Sequence, residues 1–272
     1  MFEIFTVDFM QNAFISGIIV SLISGIIGSL IVVNRMVFLA GGIAHTSYGG
    51  IGFAVFFGLP IFLGASLFAV LASVLMAFLA LKYKERVDTF IGLIWATGMA
   101  IGVILIDLTP GYNVDLMSYL FGSILAVETT DIYAMLSVLA IILVIVIFGY
   151  RNILAVSYDS EYAHIRGLSV VLLYTLILVA SSICIVMTMK VVGLILVIAM
   201  LTIPVFIAEK ISNSLAGMMI ISGLISTFFT IIGLMVSYSY NLTTGATIIL
   251  VSVVGMILFL LFNQILQINN KK

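Results

Sequence analysis

Charged residues and cysteine are both scarce in this sequence of 272 residues. Only 8% of the residues are Asp, Glu, Lys or Arg, whereas a soluble domain usually has about 25%. Most of the surface must therefore face something other than water. The net charge of −1 excludes the broad basic face that nucleic-acid binding requires. The single cysteine, Cys184, excludes an intramolecular disulfide and a cysteine-based metal cluster.

Hydrophobic residues make up 64% of the chain and recur in long runs. A spanning helix needs about 20 mostly apolar residues, and the sequence predicts nine such spans. The first run follows acidic residues and is longer than a signal-peptide core, so we expect a retained helix. The predicted spans are 13–33, 36–58, 61–81, 89–107, 132–150, 169–189, 191–208, 214–237 and 244–263. We therefore expect an all-α integral membrane protein, a polytopic helical bundle with a single transmembrane domain over residues 1–272.

A shorter apolar segment, Leu116–Val127, is too short to cross the bilayer, and Glu128 follows it. We expect it to be re-entrant or interfacial. The basic residues test the number of spans, because cytoplasmic loops collect Lys and Arg. With nine spans and the N-terminus outside, every basic residue except Lys190 falls on the cytoplasmic side. The sequence thus predicts a multi-pass protein of the cytoplasmic membrane with its C-terminus in the cytoplasm.

The predicted outer loops are acidic and carry no basic residue between Arg86 and Arg151. Asp107 ends the fourth span, and Asp115 follows the sequence LTPGYNV. Both aspartates are candidates for the outer mouth of a cation path. Simple solvation of aspartates at helix ends is the alternative.

The second span places a histidine near the middle of the bilayer. His45 lies ten residues after Arg35, which is about 15 Å along a helix and half of a core about 30 Å thick. An ionisable group at that depth usually faces the bundle interior or a wet cavity. Neutral imidazole is a good ligand for zinc, manganese or ferrous iron. His45 is therefore a candidate metal ligand, and a histidine hydrogen-bonded to a neighbouring helix is the alternative.

Glycines surround this histidine. Gly41, Gly49 and Gly52 share a helical face with His45 and leave backbone bare above and below the imidazole. Such a face can line a channel or allow another helix to approach closely. For each glycine taken singly, close helix contact is the favoured interpretation.

The longest polar stretch lies between the fifth and sixth spans and reads RNILAVSYDSEYAHIRGLS. We interpret it as a cytoplasmic loop over about 151–168. It contains the spacing D-x-E-x-A-x-x-x-G at Asp159, Glu161, Ala163 and Gly167. We expect Glu161 and Ala163 on a short helix that fits a partner's groove, with Gly167 ending it and turning the chain.

This loop resembles the coupling loop of ABC importer permeases, and in particular that of the zinc/manganese/iron permease family. The likeness runs from about residue 13 to 263. Three further stretches are similar to the family: RMVFLAGGIAHTSYGGIG, DTFIGLIWATGMAIGVILI and VVGLILVIAMLTIPVFIA. The resemblance implies a permease subunit that is not itself an enzyme. It also implies that His45 lies on the path of a transported zinc, manganese or iron ion.

The resemblance also implies partners. No stretch matches G-x-x-x-x-G-K-[ST], so this chain has no P-loop and ATP hydrolysis is expected in a separate ABC subunit. The implied assembly is a homodimer of permeases in membrane lipid, on two ATPase subunits, supplied by an extracytoplasmic metal-binding protein. The segment from Asp159 to Gly167 would couple the permease to the ATPase.

The sequence departs from the family at one position. The family motif D-x-x-x-H has an aspartate one turn before the histidine, where this chain has Gly41. Another carboxylate could supply the oxygen ligand, backbone carbonyls could replace it, or the substrate could differ. An importer of a metal chelate or corrinoid is therefore one alternative. A self-powered secondary transporter is the other, although it would be expected to carry ionisable residues within several spans.

Overall fold

The computed structural model describes residues 8–110, 122, 124 and 127–269. All regular secondary structure in these ranges is helical, which confirms the predicted all-α class. The α-helices are α1 (Asp8–Val33), α2 (Val37–Phe57), α3 (Ile61–Lys82), α4 (Val87–Asp107), α5 (Thr129–Tyr158), α6 (Ser160–Ile165), α7 (Val170–Ile211), α8 (Leu215–Tyr240) and α9 (Thr244–Asn269). A short 3-10 helix, Lys84–Arg86, precedes α4.

Seven helices in the described ranges are long and apolar enough to cross a membrane, namely α1, α3, α4, α5, α7, α8 and α9. The predicted number of nine spans is therefore not confirmed. Helix α2 is not among the seven, and it carries five glycines together with His45, Thr46 and Ser47. Most of the predicted re-entrant segment lies outside the described residues, so that prediction is not tested.

Helix α7 covers two of the predicted spans in one run of 42 residues. The run is interrupted at Gly193, where φ is 79° and ψ is 163°. Only glycine adopts this conformation readily, because a Cβ would clash with the backbone. The break lies at the third residue of the predicted seventh span, which begins at residue 191.

Helix α5 is longer than predicted and corrects the start of the polar loop. It continues to Tyr158, so residues 151–158 form the last two turns of a helix instead of a loop. Ile153 and Val156 in these turns are buried, and their packing extends the helix beyond the predicted end of the span. The connection to α6 therefore begins at Asp159.

The chain forms two compact units. The first contains α1 up to Ser29, the start of α5, α7 from Val191, α8 and α9. The second contains α2, α3, α4, the rest of α5, α6 and α7 up to Lys190. The predicted single transmembrane domain stays a prediction.

In the first unit, buried hydroxyl groups join α1 to α8. Ser21 Oγ lies 3.0 Å from Thr230 Oγ1, and Ser222 Oγ donates to the carbonyl of Gly25 at 3.0 Å. Ser29 Oγ lies 3.3 Å from Ser222 Oγ. We call these five residues the hydroxyl seam. Each hydroxyl on this seam has a partner across the interface, as buried polar groups in an apolar bundle require.

Candidate functional site

His45 lies near the middle of α2 and is half-buried. Its imidazole stacks on the indole of Trp95 from α4, with ring centroids 4.0 Å apart and ring planes 12° apart. The Nδ1 atom is buried and has no hydrogen-bond partner among the described residues. The predicted alternative, a histidine hydrogen-bonded to a neighbouring helix, therefore gains no support at Nδ1.

Sequence reasoning missed Trp95. Its indole Nε1–H donates to the sulfur of Met99, one helical turn further along α4, at 3.0 Å. Trp95 lies 50 positions from His45, so no spacing rule connects the two residues. The one available signal was that Trp95 is the single tryptophan of the chain.

Glycines bring the backbones of α2 and α4 into direct contact next to this stack. A Cβ on Gly49 would lie 2.5 Å from the carbonyl oxygen of Gly98, and one on Gly52 would clash with the backbone of Gly102. A Cβ on Gly98 would lie 2.7 Å from the Thr46 methyl group. At these positions α2 and α4 are as close as two helices can pack.

An adjacent face of α2 packs against α3 in the same way. A Cβ on Gly50 would clash with the backbone of Gly64, and the reverse also holds. Gly42 faces both neighbours, because a Cβ there would lie 2.8 Å from Ile91 Cγ2 and 2.9 Å from Met76 Cε. These contacts hold α2 between α3 and α4. We call the contacts of Gly49, Gly50 and Gly52 with Gly64, Gly98 and Gly102 the glycine seam.

The predicted acidic residues do not join His45 in a cluster. Asp107 is the last residue of α4 and is exposed. It follows Trp95 by twelve residues, which is about 18 Å along the helix. Asp115 lies outside the described residues. Within the described ranges, no three His, Cys, Asp or Glu side chains come close enough together to hold a metal ion.

Gly41 is buried one turn before the histidine, at the position of the family aspartate. The two residues after His45 carry hydroxyl groups, and both hydroxyls donate to carbonyl groups of α2 itself. Thr46 Oγ1 donates to the carbonyl of Gly42 at 2.7 Å, and Ser47 Oγ donates to the carbonyl of Ala44 at 2.6 Å. The oxygen atoms at this level of α2 thus belong to uncharged hydroxyl and carbonyl groups.

An apolar cavity of about 340 Å³ lies in the second unit, at the end of α2 that leads into α3. Met189 of α7 links it to the histidine region, because Ser47 Oγ donates to the Met189 sulfur at 3.6 Å. Lys190 is the one charged residue on its wall. The lining residues are Ile51, Pro60, Ile61, Phe62, Ala65, Val186, Met189 and Lys190.

The predicted short helix between the fifth and sixth spans is α6, and both of its ends are capped. Asp159 is the N-cap and accepts a hydrogen bond from the Tyr162 amide at 2.9 Å. At the other end, the Gly167 amide donates to the His164 carbonyl and the Leu168 amide to the Ala163 carbonyl. These two bonds form a Schellman motif, which needs the left-handed φ of 79° that Gly167 adopts.

Helix α6 buries one side chain and exposes the others. Ala163 is fully buried, whereas Glu161 is exposed. Ile165 is 84% exposed although it is apolar, and the Arg166 guanidinium lies 5.5 Å from the centre of the Tyr162 ring. The motif residues therefore have distinct local tasks: Asp159 and Gly167 end the helix, Ala163 packs it, and Glu161 remains available to a partner.

Comparison with known proteins gives consistent matches over nearly the whole chain. The model of the ABC 3 transport family matches residues 6–263. An uncharacterised membrane protein of Synechocystis is 44% identical over 94% of this chain and 92% of its own length. The manganese import system permease protein ScaB of Streptococcus parasanguinis is 33% identical over 90% of this chain and 88% of its own length.

A solved structure, PsaBC from Streptococcus pneumoniae in complex with Fab, contains a similar chain. The TM-score is 0.83 at 31% sequence identity, and the alignment covers 93% of this chain and 91% of that one. The similarity in fold therefore extends over the same length as the similarity in sequence.

Proposed function

Because this chain belongs to the ABC 3 transport family, we propose that it is the permease subunit of an ATP-driven importer of manganese. The observation that carries the proposal is the family match over residues 6–263. We favour manganese over zinc and iron as the substrate, because ScaB is similar along most of its length and is named as a manganese import permease. The chain itself conducts the ion and performs no covalent chemistry.

The proposed topology has nine crossings, with the N-terminus outside and the C-terminus in the cytoplasm. Helix α7 has 42 residues, or about 63 Å at 1.5 Å per residue, twice a core of about 30 Å. Two crossings that meet at Gly193 account for this length. The buried helix α2 completes the nine. This arrangement leaves Lys190 as the one basic residue outside.

The proposed path runs past the stacked histidine. Asp107 and Asp115 attract cations to the outer mouth, and the imidazole of His45 meets the ion near the bilayer centre. Since Gly41 provides no carboxylate, carbonyl and hydroxyl oxygens next to His45 complete the coordination in this proposal. Manganese accepts such oxygen ligands together with imidazole.

The proposed energy source is a separate ATPase that contacts α6. The exposed Glu161 and Ile165 suit a docking surface, and the caps at Asp159 and Gly167 keep the helix formed. Two copies of this chain and two ATPase subunits form the transporter, and an extracytoplasmic binding protein delivers the ion. The sequence contains no P-loop, which supports placing ATP hydrolysis in a separate subunit.

Uptake by proteoliposomes that contain the permease, its ATPase and its binding protein tests the substrate. We expect saturable, ATP-dependent uptake of Mn²⁺, measured beside Zn²⁺, Fe²⁺ and a corrinoid. His45→Ala should lower Mn²⁺ uptake by about a hundredfold, because loss of an outer-shell partner alone costs about 10- to 100-fold in metal affinity. Uptake of the corrinoid and of none of the three ions would overturn the proposal.

The coupling role of α6 needs a separate test. Glu161→Arg should leave the permease folded but stop Mn²⁺ from stimulating ATP hydrolysis, because it reverses an exposed charge on the docking helix. Glu85→Arg is the matched control, since Glu85 is also exposed and precedes α4 in another loop on the proposed cytoplasmic side. Equal behaviour of the two variants would show that α6 is not the coupling helix.

A further inference from the structure

Trp95 and His45 form an aromatic pair that the family comparison does not explain. We propose that Trp95 is the positioning residue for His45, and that its indole holds the imidazole in the orientation in which it meets the transported ion. This inference rests on the proposed role of His45 in the metal path. Orienting a metal-binding histidine is usually the role of a carboxylate or a backbone carbonyl, and here it falls to an indole.

A metal-ligating histidine is normally oriented by a hydrogen bond. One ring nitrogen binds the metal, and the other donates to a carboxylate or carbonyl that fixes the ring. No described residue makes such a bond with Nδ1 of His45, although this atom is buried. The orientation of the ring must therefore come from contacts with its faces.

The stack supplies this contact. Ring planes only 12° apart, with centroids 4.0 Å apart, cover one face of the imidazole with the indole. Rotation of the imidazole about its bond to Cβ would drive the edge of the ring into the indole. The N–H of one ring nitrogen and the lone pair of the other both lie in the plane of the imidazole, so the indole restrains the ring without occupying either of them.

Trp95 is itself held in place. Its Nε1–H donates to the Met99 sulfur, which fixes the indole against its own helix. One turn further along α4, Gly98 packs against Thr46, the residue that follows His45. The two rings are therefore attached to backbones in direct contact, and neither helix can slide without breaking the glycine seam.

Stacking also affects how tightly the ion is held. A carboxylate partner would raise the basicity of the imidazole and strengthen the metal bond, whereas an indole carries no net charge. A transport site must bind well enough to load but weakly enough to release the ion. The uncharged indole orients the imidazole without strengthening its bond to the ion, which allows the ion to be released.

A double-mutant cycle tests the inference in the reconstituted complex. Trp95→Leu removes the aromatic face and should raise KM for Mn²⁺ uptake about tenfold, the lower end of what outer-shell losses cost. Trp95→Phe keeps a ring and should stay within about threefold of the native KM. In the His45→Ala background, Trp95→Leu should have no further effect.

Two outcomes would overturn the inference while leaving the metal path intact. One is a native KM in Trp95→Leu when His45→Ala has lost uptake. The other is an equal loss from Trp95→Leu with and without His45, which would indicate general packing. If His45→Ala itself transports normally, the proposed role of His45 fails and the inference fails with it.

Fluorescence gives a second measurement, which reports binding of the ion instead of its transport. Trp95 is the single tryptophan of the chain, so the difference between the native complex and Trp95→Phe isolates its emission. Mn²⁺ is paramagnetic, and its binding at His45 should quench this emission saturably. His45→Ala should abolish the quenching. Emission that is unaffected by Mn²⁺ in the native complex would overturn the inference.

Discussion

The hydroxyl seam and the glycine seam join helices by different means. In the hydroxyl seam, α1 and α8 exchange hydrogen bonds through buried serine and threonine side chains, such as Ser222 to the Gly25 carbonyl. In the glycine seam, α2 meets α3 and α4 mainly through contacts between their backbones. One weaker bond crosses there, from Thr46 Oγ1 to the Ile94 carbonyl at 3.4 Å.

The two seams should differ in what they tolerate. Lipid tails are as apolar as leucine, so packing and hydrogen bonds, instead of the hydrophobic effect, hold helices together in a membrane. A hydrogen bond can be removed with a modest loss, but an added methyl group between two backbones forces the helices apart. We therefore expect the glycine seam, which positions His45, to be the more sensitive of the two.

Gly52→Ala should have the largest effect. The new Cβ would meet the backbone of Gly102, including its Cα at 2.6 Å, and backbone atoms cannot rotate away. We expect a loss of about 3 kcal/mol or more in unfolding free energy, together with loss of Mn²⁺ uptake. The unfolding midpoint in detergent measures the first effect. A midpoint within about 2 °C of the native value would contradict the close contact.

Ser222→Ala should have a moderate effect on the hydroxyl seam. It removes the bonds to Gly25 and Ser29, and interhelical hydrogen bonds in membranes average about 0.6 kcal/mol with a maximum near 1.7. Ser239→Ala is the matched control, because Ser239 is exposed and donates within its own helix, to Met235. If Ser222→Ala unfolds the protein as readily as Gly52→Ala, the two seams do not differ as described.

Gly92→Ala should have the smallest effect and sharpens the first prediction. Gly92 lies on α4, as Gly98 and Gly102 do, but a Cβ there meets no described atom within 4 Å. Alanine favours helices over glycine by about 1 kcal/mol, so stability should be unchanged or slightly higher. The same unfolding assay applies. A clear loss would mean that close packing is not what distinguishes the glycine-seam positions.

Local sequence signals predicted much of the fold. The ends of α3 and α4 fall within two residues of the predicted spans, because Pro60 and a cluster of charges interrupt the apolar pattern there. The short helix α6 followed from the spacing of Ala163 and Gly167, since the Schellman motif depends on residues close in sequence. Such features need no knowledge of neighbouring helices.

The pairing of helices could not be predicted in this way. A helical period shows which residues share a face, but it does not show which helix lies opposite. The contact of Gly49 with Gly98 and the stack of His45 on Trp95 are of this kind. The extension of α5 to Tyr158 was missed for a related reason, because Ile153 and Val156 are buried by the fold and not by lipid.

The capping of α6 has an energetic consequence. An isolated helix of six residues is unstable in water, because nucleation fixes several residues for few hydrogen bonds. Asp159 and Gly167 satisfy the amide and carbonyl groups at its two ends, so the segment is ordered before any partner arrives. Binding of a subunit to α6 therefore costs little conformational entropy in this segment. The affinity then depends mainly on the contacts that the subunit makes.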